Sequence, residues 1–304
     1  MTIASDLKIR SLQGYILDEV TRAMGFSTSG LVRKVTGWAL STPAYRFSSM
    51  FAAADEACKA HGFRQGAQVV LDGLMVKVHA RGAEHIPFEG PVLIASNHPG
   101  GYDSICIASQ VPRDDIKVLA AGVNFLKRLE ALRRSLILVP YTKSERFAVI
   151  NDLIDQLKSR SALLHFGSGT HDPDPEAQSG SLEQISQWFR TLEVLLRKVP
   201  ETKLCLTAVS GVLEPKYLRH PATMLRKDPV DKRRLAEMME ILNILFTGKP
   251  PKQTVHISFD EPATLSELSS DSAVSIMDAI KTRQRALMQR HLEWLRSMDF
   301  PALA

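Results

Sequence analysis

His98 and Asp103 stand five positions apart in the run Asn97-His98-Pro99-Gly100-Gly101-Tyr102-Asp103-Ser104. An imidazole takes the proton from an attacking hydroxyl or amine, and a carboxylate beside it orients the ring and stabilises its protonated form. That pair is the core of many acyl-transfer sites. The two glycines let the backbone fold sharply enough to bring the side chains together. The N–H groups near Gly100 and Gly101, or at the helix start that follows, are expected to cradle a tetrahedral oxyanion.

The flanking elements must place this pair. Pro91-Val92-Leu93-Ile94-Ala95-Ser96 is an apolar run of the kind that forms a buried strand, and Ile105-Cys106-Ile107-Ala108-Ser109-Gln110 reads as the first turns of a helix. The histidine therefore falls where a strand ends and the aspartate where a helix begins. With nine histidines in the chain, a His-x4-Asp spacing arises by accident about once. Two ordinary readings compete: Asp103 as an N-cap, and His98 as a buried histidine donating to a carbonyl. The strand, the two-glycine turn and the helix start together favour chemistry over both.

In these residues the chain resembles the glycerol-3-phosphate and lysophosphatidic acid acyltransferase superfamily, as a divergent member. Its first signature is Asn-His, four residues, then Asp, entered from an apolar strand. Arg81-Gly82-Ala83-Glu84-His85-Ile86-Pro87 is similar to the family's lead-in. Phe125-Leu126 through Arg133-Arg134-Ser135 to Val139-Pro140 resembles the second block, with Lys143 near the place of its basic residue. The resemblance covers about residues 76 to 211. It implies acyl transfer from acyl-CoA or acyl carrier protein to a hydroxyl or amine of a lipid-like or glycerol-like acceptor, within phospholipid or other lipid synthesis. A thioester is already an activated acyl group, so neither a metal nor a bound cofactor is expected.

The third block departs from the family's Phe-Pro-Glu-Gly-Thr-Arg. Here Phe166-Gly167-Ser168-Gly169-Thr170-His171 stands in its place. Ser168 replaces the glutamate that the resemblance implies for holding the acceptor polyol, and His171 replaces the arginine implied for its phosphate. Serine cannot accept two strong hydrogen bonds as a carboxylate does, and histidine lacks arginine's fixed fork. Ser168, Gly169, Thr170, His171 and Lys143 are thus the acceptor-binding candidates, for an acceptor other than glycerol 3-phosphate or one held differently. The segment also reads as a plain glycine-rich connection. Ser168 makes a poor hydrolase nucleophile, because a nucleophile elbow needs glycine where Phe166 stands. Arg133, Arg134 and Arg146 are candidates for binding a phosphate-bearing substrate, although surface helices commonly carry such charge. A catalytically silent lipid or carrier-protein binder and a thioesterase are the alternative functions.

The rest of the chain sets the frame. Its 304 residues, 44% hydrophobic and 23% charged, suit one catalytic domain with a helical appendage. Residues 1–74 read as helices, with one apolar stripe from Ile9 to Met24 and another through Leu31, Val32, Val35, Trp38 and Ala39. From residue 75 to 304 the pattern alternates. Strands are predicted over 75–80, 91–97, 117–121, 136–140, 161–166, 204–211 and 252–258. Helices are predicted over 103–110, 123–133, 144–159, 181–198, 230–247 and 272–296. Residues 172–176 and 214–229 read as loops. Such alternation predicts an α/β fold: a mixed, largely parallel central sheet flanked by helices, with an N-terminal helical region.

No window approaches a transmembrane run, and the N-terminus lacks the order of a secretory signal. Three scattered cysteines suit a reducing cytoplasm. The net charge of +5 is compatible with anionic lipid or a phosphorylated substrate. No nucleic-acid motif accompanies it, so no nucleic-acid partner is expected. Trp38, Phe47, Met50 and Phe51, near Arg33, Lys34 and Arg46, either lie in a membrane interface or pack on the catalytic domain. A basic stretch from Lys216 to Arg234 is a second candidate surface for anionic lipid. The expected location is cytoplasmic, peripheral on the inner face of the membrane.

Overall fold

The computed structural model describes residues 3–23, 25, 27–140 and 146–298. Four helices open the chain: α1 (Ile3–Ala23), α2 (Gly30–Ala39), α3 (Ser41–His61) and α4 (Phe63–Gly73). Then come β1 (Val78–Arg81), β2 (Val92–Ser96), α5 (Asp103–Gln110), β3 (Lys117–Ala121), β4 (Leu136–Val139), β5 (Ala162–Phe166), β6 (Lys203–Ser210) and β7 (Val255–Phe259). The seven strands form one sheet in the order β1-β7-β6-β2-β5-β3-β4. Only β6 and β7 run antiparallel. The fold is the expected α/β class, a mixed and largely parallel sheet flanked by helices and preceded by a helical region.

β2 is buried at every position because it pairs with β5 on one side and β6 on the other, under helices on both faces. Val92 and Ile94 enter a core shared with α1, α3, α4, α5 and the helix Pro229–Thr247. Leu93 and Ala95 enter the opposite core, under the helices Arg146–Lys158, Thr191–Lys198 and Ile276–Ser297. In α3, Met50 and Phe51 are buried and Phe47 packs against them, whereas α2 buries none of its residues. Thus the aromatics of α3 pack inward, and Trp38 on α2 is 84% exposed. Met24 lies outside the described residues. Among those described, no helix is long and apolar enough to cross a membrane.

Some predicted elements are broken, each for a local reason. The helix expected over 123–133 is a 3-10 turn (Leu126–Arg128) and a separate short helix (Glu130–Arg133). Leu129 turns into the core fully buried, and the Asp55 carboxylate accepts the N–H groups of Ala131 and Leu132 to start the helix anew. The helix expected over 181–198 divides at Trp188, which leaves helical geometry and is 3% exposed, packed over Gly167. A Cβ at position 167 would penetrate that indole ring. The loop expected over 214–229 contains two single-turn helices, Pro215–Leu218 and Pro221–Met224, each begun by a proline whose missing N–H costs nothing there. Two strands are shifted toward the C-terminus: the first is Val78–Arg81 and the last Val255–Phe259.

Candidate active site

Crossover connections leave β2 and β5 opening on the same, carboxyl, end of the sheet, where ligand sites of open α/β sheets form. His98 follows β2, and residues 167–176 follow β5. Asn97 fixes the exit of β2 by exchanging two 2.8 Å hydrogen bonds with the backbone of Val209 on β6. Asp172 fixes the next residue, its carboxylate accepting the His98 N–H at 2.9 Å while its own N–H donates to the His98 carbonyl at 2.7 Å. The chain then turns through the glycines into α5.

His98 and Asp103 meet as the sequence predicts. Nδ1 of His98 lies 2.9 Å and 3.2 Å from the two carboxylate oxygens of Asp103, which is fully buried. The N-cap position of α5 is Tyr102, without a side-chain capping bond. Asp103 therefore serves the histidine and its own turn, accepting the Gly100 N–H at 3.2 Å. The imidazole stacks on Phe166 with ring centroids 4.0 Å apart. His171 meets it edge-on at 4.5 Å. With Nδ1 committed to Asp103, Nε2 makes no hydrogen bond to the described residues. Burial works against a charge on this imidazole, but Asp103, with smaller help from Asp172 and Glu237, raises its pKa above the usual 6.5.

His98 stands in the wall of a cavity of about 530 Å³, within the size range of small-molecule sites. Apolar side chains from α1, α3, α4, β3 and the helix Pro229–Thr247 make most of the lining, with Phe47, Phe51 and Phe125 packed as a cluster. Around His98 the wall turns polar, with Ser104, His171, Arg234 and Glu237.

The other predicted residues divide. His171 reaches the cavity; its Nδ1 is buried without a partner among the described residues. Burial, then the charges of His98, Arg234 and Arg233, hold its pKa well below the usual value, so the ring stays neutral. Ser168, Gly169 and Thr170 do not line the cavity. The Ser168 hydroxyl donates to the Thr170 carbonyl at 2.9 Å, bound within its own loop. Arg133 and Arg134 are exposed and do not line the cavity, because the short helix that carries Arg133 turns Leu132 inward. Lys143 lies outside the described residues, as does the side chain of Arg146. The expected oxyanion groups are already engaged: the Gly100 N–H by Asp103, and the Gly101 N–H by Glu237 at 2.5 Å. In the basic stretch, Arg233 is buried and donates to the His171 carbonyl at 2.7 Å, and Lys216 pairs with Glu214 at 2.7 Å.

Three site residues escaped the sequence reading. Asp172 lies in the proline-rich segment 172–176, a loop as the sequence predicts. Asp174, two residues on and fully buried, accepts the N–H groups of Gly211, Val212 and Leu213 and so anchors the strand end to which Tyr102 hydrogen-bonds. Burial, then Glu176, pushes its pKa up to about 6. Glu237 comes from the helix Pro229–Thr247 and is 7% exposed; burial, then Asp103, raises its pKa to about 7. The available signal is an acid at helical spacing with Met238, Ile241, Leu242 and Leu245, which line the cavity with it.

No protein-family model matches this chain, and no curated protein matches it in sequence. Among solved structures it is similar to the crystal structure of the 1-acyl-sn-glycerophosphate (LPA) acyltransferase, PlsC, from Thermotoga maritima, at 13% identity and a TM-score of 0.47, over 95% of this chain and 97% of that one.

Proposed function

We propose that this chain transfers a long acyl group from a thioester, acyl-CoA or acyl carrier protein, to a hydroxyl or amine of a lipid-like acceptor. One observation carries the reading: His98, held by Asp103 at 2.9 Å, stands in the polar part of an otherwise apolar cavity. An acyl chain in that cavity leaves water, at about 0.8 kcal/mol per methylene. His98 Nε2 removes the acceptor's proton as its oxygen or nitrogen attacks the thioester carbonyl. The tetrahedral intermediate collapses by breaking the carbon–sulfur bond, and the imidazolium returns the proton to the leaving thiolate. Asp103 stabilises the imidazolium between these steps. With the Gly100 and Gly101 N–H groups engaged, the oxyanion falls to the first turn of α5, where Ser104 lines the cavity.

The acceptor and donor reach this site from a lipid surface. Leu31, Val35 and Trp38 on α2 are 77%, 55% and 84% exposed. The residue after α2, Leu40, lines the cavity. Exposed Lys34 on the same helix suits an anionic headgroup layer. We place the protein peripherally on the inner face of a membrane, in the cytoplasm.

The test supplies the protein with palmitoyl-CoA or palmitoyl carrier protein and a panel of lipid alcohols and amines. Acylated acceptor formed in step with thioester loss is expected. Free fatty acid release that added acceptor does not change would make it a thioesterase, and no thioester loss with any acceptor would leave a binding protein.

A further inference from the structure

Residues 166–171 bring no carboxylate to the cavity, since Ser168 stands where the resemblance implies one and is bound within its loop. The cavity wall nonetheless holds a carboxylate from elsewhere in the chain. Glu237 projects from the helix Pro229–Thr247 against the catalytic turn. Its Oε1 accepts the N–H groups of Gly101 at 2.5 Å and Tyr102 at 3.3 Å. Its Oε2 makes no hydrogen bond to the described residues. The glycine pair admits this approach: a Cβ at Gly101 would lie 3.2 Å from Oε1, and one at Gly100 would lie 2.6 Å from the Val212 side chain. Oε2 is not one of the fully buried polar atoms, so a donor on a ligand in the cavity can reach it.

We propose that Glu237 is the acceptor-holding carboxylate of this chain. Oε1 fixes the His98–Asp103 turn, and Oε2 accepts a hydrogen bond from a group vicinal to the one that His98 deprotonates. The ligand class is a lipid with two adjacent hydrogen-bond donors, a vicinal diol or an amino alcohol. Three carboxylates, Asp103, Asp172 and Glu237, act on His98, which disfavours an anionic group directly beside the attacked atom. Arg234, one turn from Glu237 and also in the cavity wall, is 59% exposed and lies 3.8 Å from the Asp231 carboxylate. The proposal rests on the acyltransferase reading, but it fails or survives separately because acceptor binding is measured without donor.

Glu237→Gln keeps an oxygen for the Gly101 and Tyr102 N–H groups and removes the charge. The probes are a 1-monoacylglycerol (diol), sphinganine (amino alcohol) and hexadecanol, which has one hydroxyl. Calorimetric titration of the wild-type protein should show the diol or the amino alcohol bound in preference to hexadecanol, and which of the two binds identifies the source of the second donor. Glu237→Gln should weaken that binding about tenfold or more, and Glu237→Asp should recover part of it. The same loss should appear in the acceptor KM, with the palmitoyl-CoA KM unchanged. Equal affinity for all three probes, or unchanged acceptor affinity in a folded Glu237→Gln protein, overturns the proposal even where acyl transfer is intact. Binding as expected without any transfer would overturn the acyltransferase reading and leave this one standing.

Discussion

Asp103 directs its carboxylate at His98, 2.9 Å away, and the start of the helix it begins is met by Glu237, 135 residues along the chain from Tyr102. The turn from His98 to Asp103 is thus held from three sides: Asp103 on the ring, Asp172 on the His98 backbone, and Glu237 on the N–H groups that follow. Two of these holds are tertiary. The proposed chemistry therefore depends on the packing of the helix Pro229–Thr247 and of the segment after β5 as much as on the local motif.

That arrangement has a pH signature. The base must be neutral to act, and its pKa is raised above 6.5 against the effect of burial, chiefly by Asp103. Activity should rise with pH to a midpoint above 6.5. Asp103→Asn should move that midpoint down and lower kcat about 10²-fold or more. An unmoved acid limb in the pH profile of kcat/KM would show that another group titrates there.

The cavity predicts a chain-length effect. Ala67 on α4 lines it and is 2% exposed. Ala67→Phe fills part of the apolar space, so preference should shift toward shorter acyl donors. Each excluded methylene is worth about 0.8 kcal/mol, or about a fourfold change in specificity. Competition between palmitoyl and shorter acyl thioesters, read by product mass, measures the shift.

How much of this was legible in the sequence follows from which contacts are local. The bounds of α5 and β3 were predictable because the first follows a glycine turn and the second is a short strand between polar breaks. His98 and Asp103 were legible because turn and helix put them together whatever the rest of the chain does. Glu237, Asp172 and Arg233 were not, because each looks like ordinary helix or loop charge until the fold brings it to the carboxyl ends of β2 and β5. The broken helices at Leu129 and Trp188 were hidden for the same reason: Asp55 and Gly167, which decide them, lie far along the chain.

The exposed face of α2 predicts membrane binding. Replacing both Leu31 and Trp38 by serine should weaken sedimentation with phosphatidylglycerol vesicles about tenfold or more. Turnover of a short-chain, water-soluble thioester should not change. Equal binding of wild-type and variant proteins would remove α2 from the lipid contact.

Stability should fall as pH rises above 7. Burial raises Glu237 to about 7 and Glu240 to about 8. Each binds its proton more tightly folded than unfolded, so its stabilisation is present below pH 4.5 and is lost as pH rises through the folded value. His98 has the same sign in its own range. Burial depresses His165 to about 4 and His291 to about 3, and lowers His171 as well. These three favour the folded state as pH rises toward 6.5 and change nothing above it. The melting temperature should accordingly fall between pH 7 and 8.5, and Glu240→Gln should flatten that limb. A melting temperature still rising across that interval would refute the assignment.

The central claim is that His98 is the base of an acyl transfer, and His98→Ala in the presence of palmitoyl thioester and an accepted lipid acceptor tests it most directly. The account predicts transfer lowered by about 10²- to 10⁴-fold, with the protein still folded and its donor affinity close to that of the wild type. Turnover within a few-fold of wild type in a folded His98→Ala protein would contradict it.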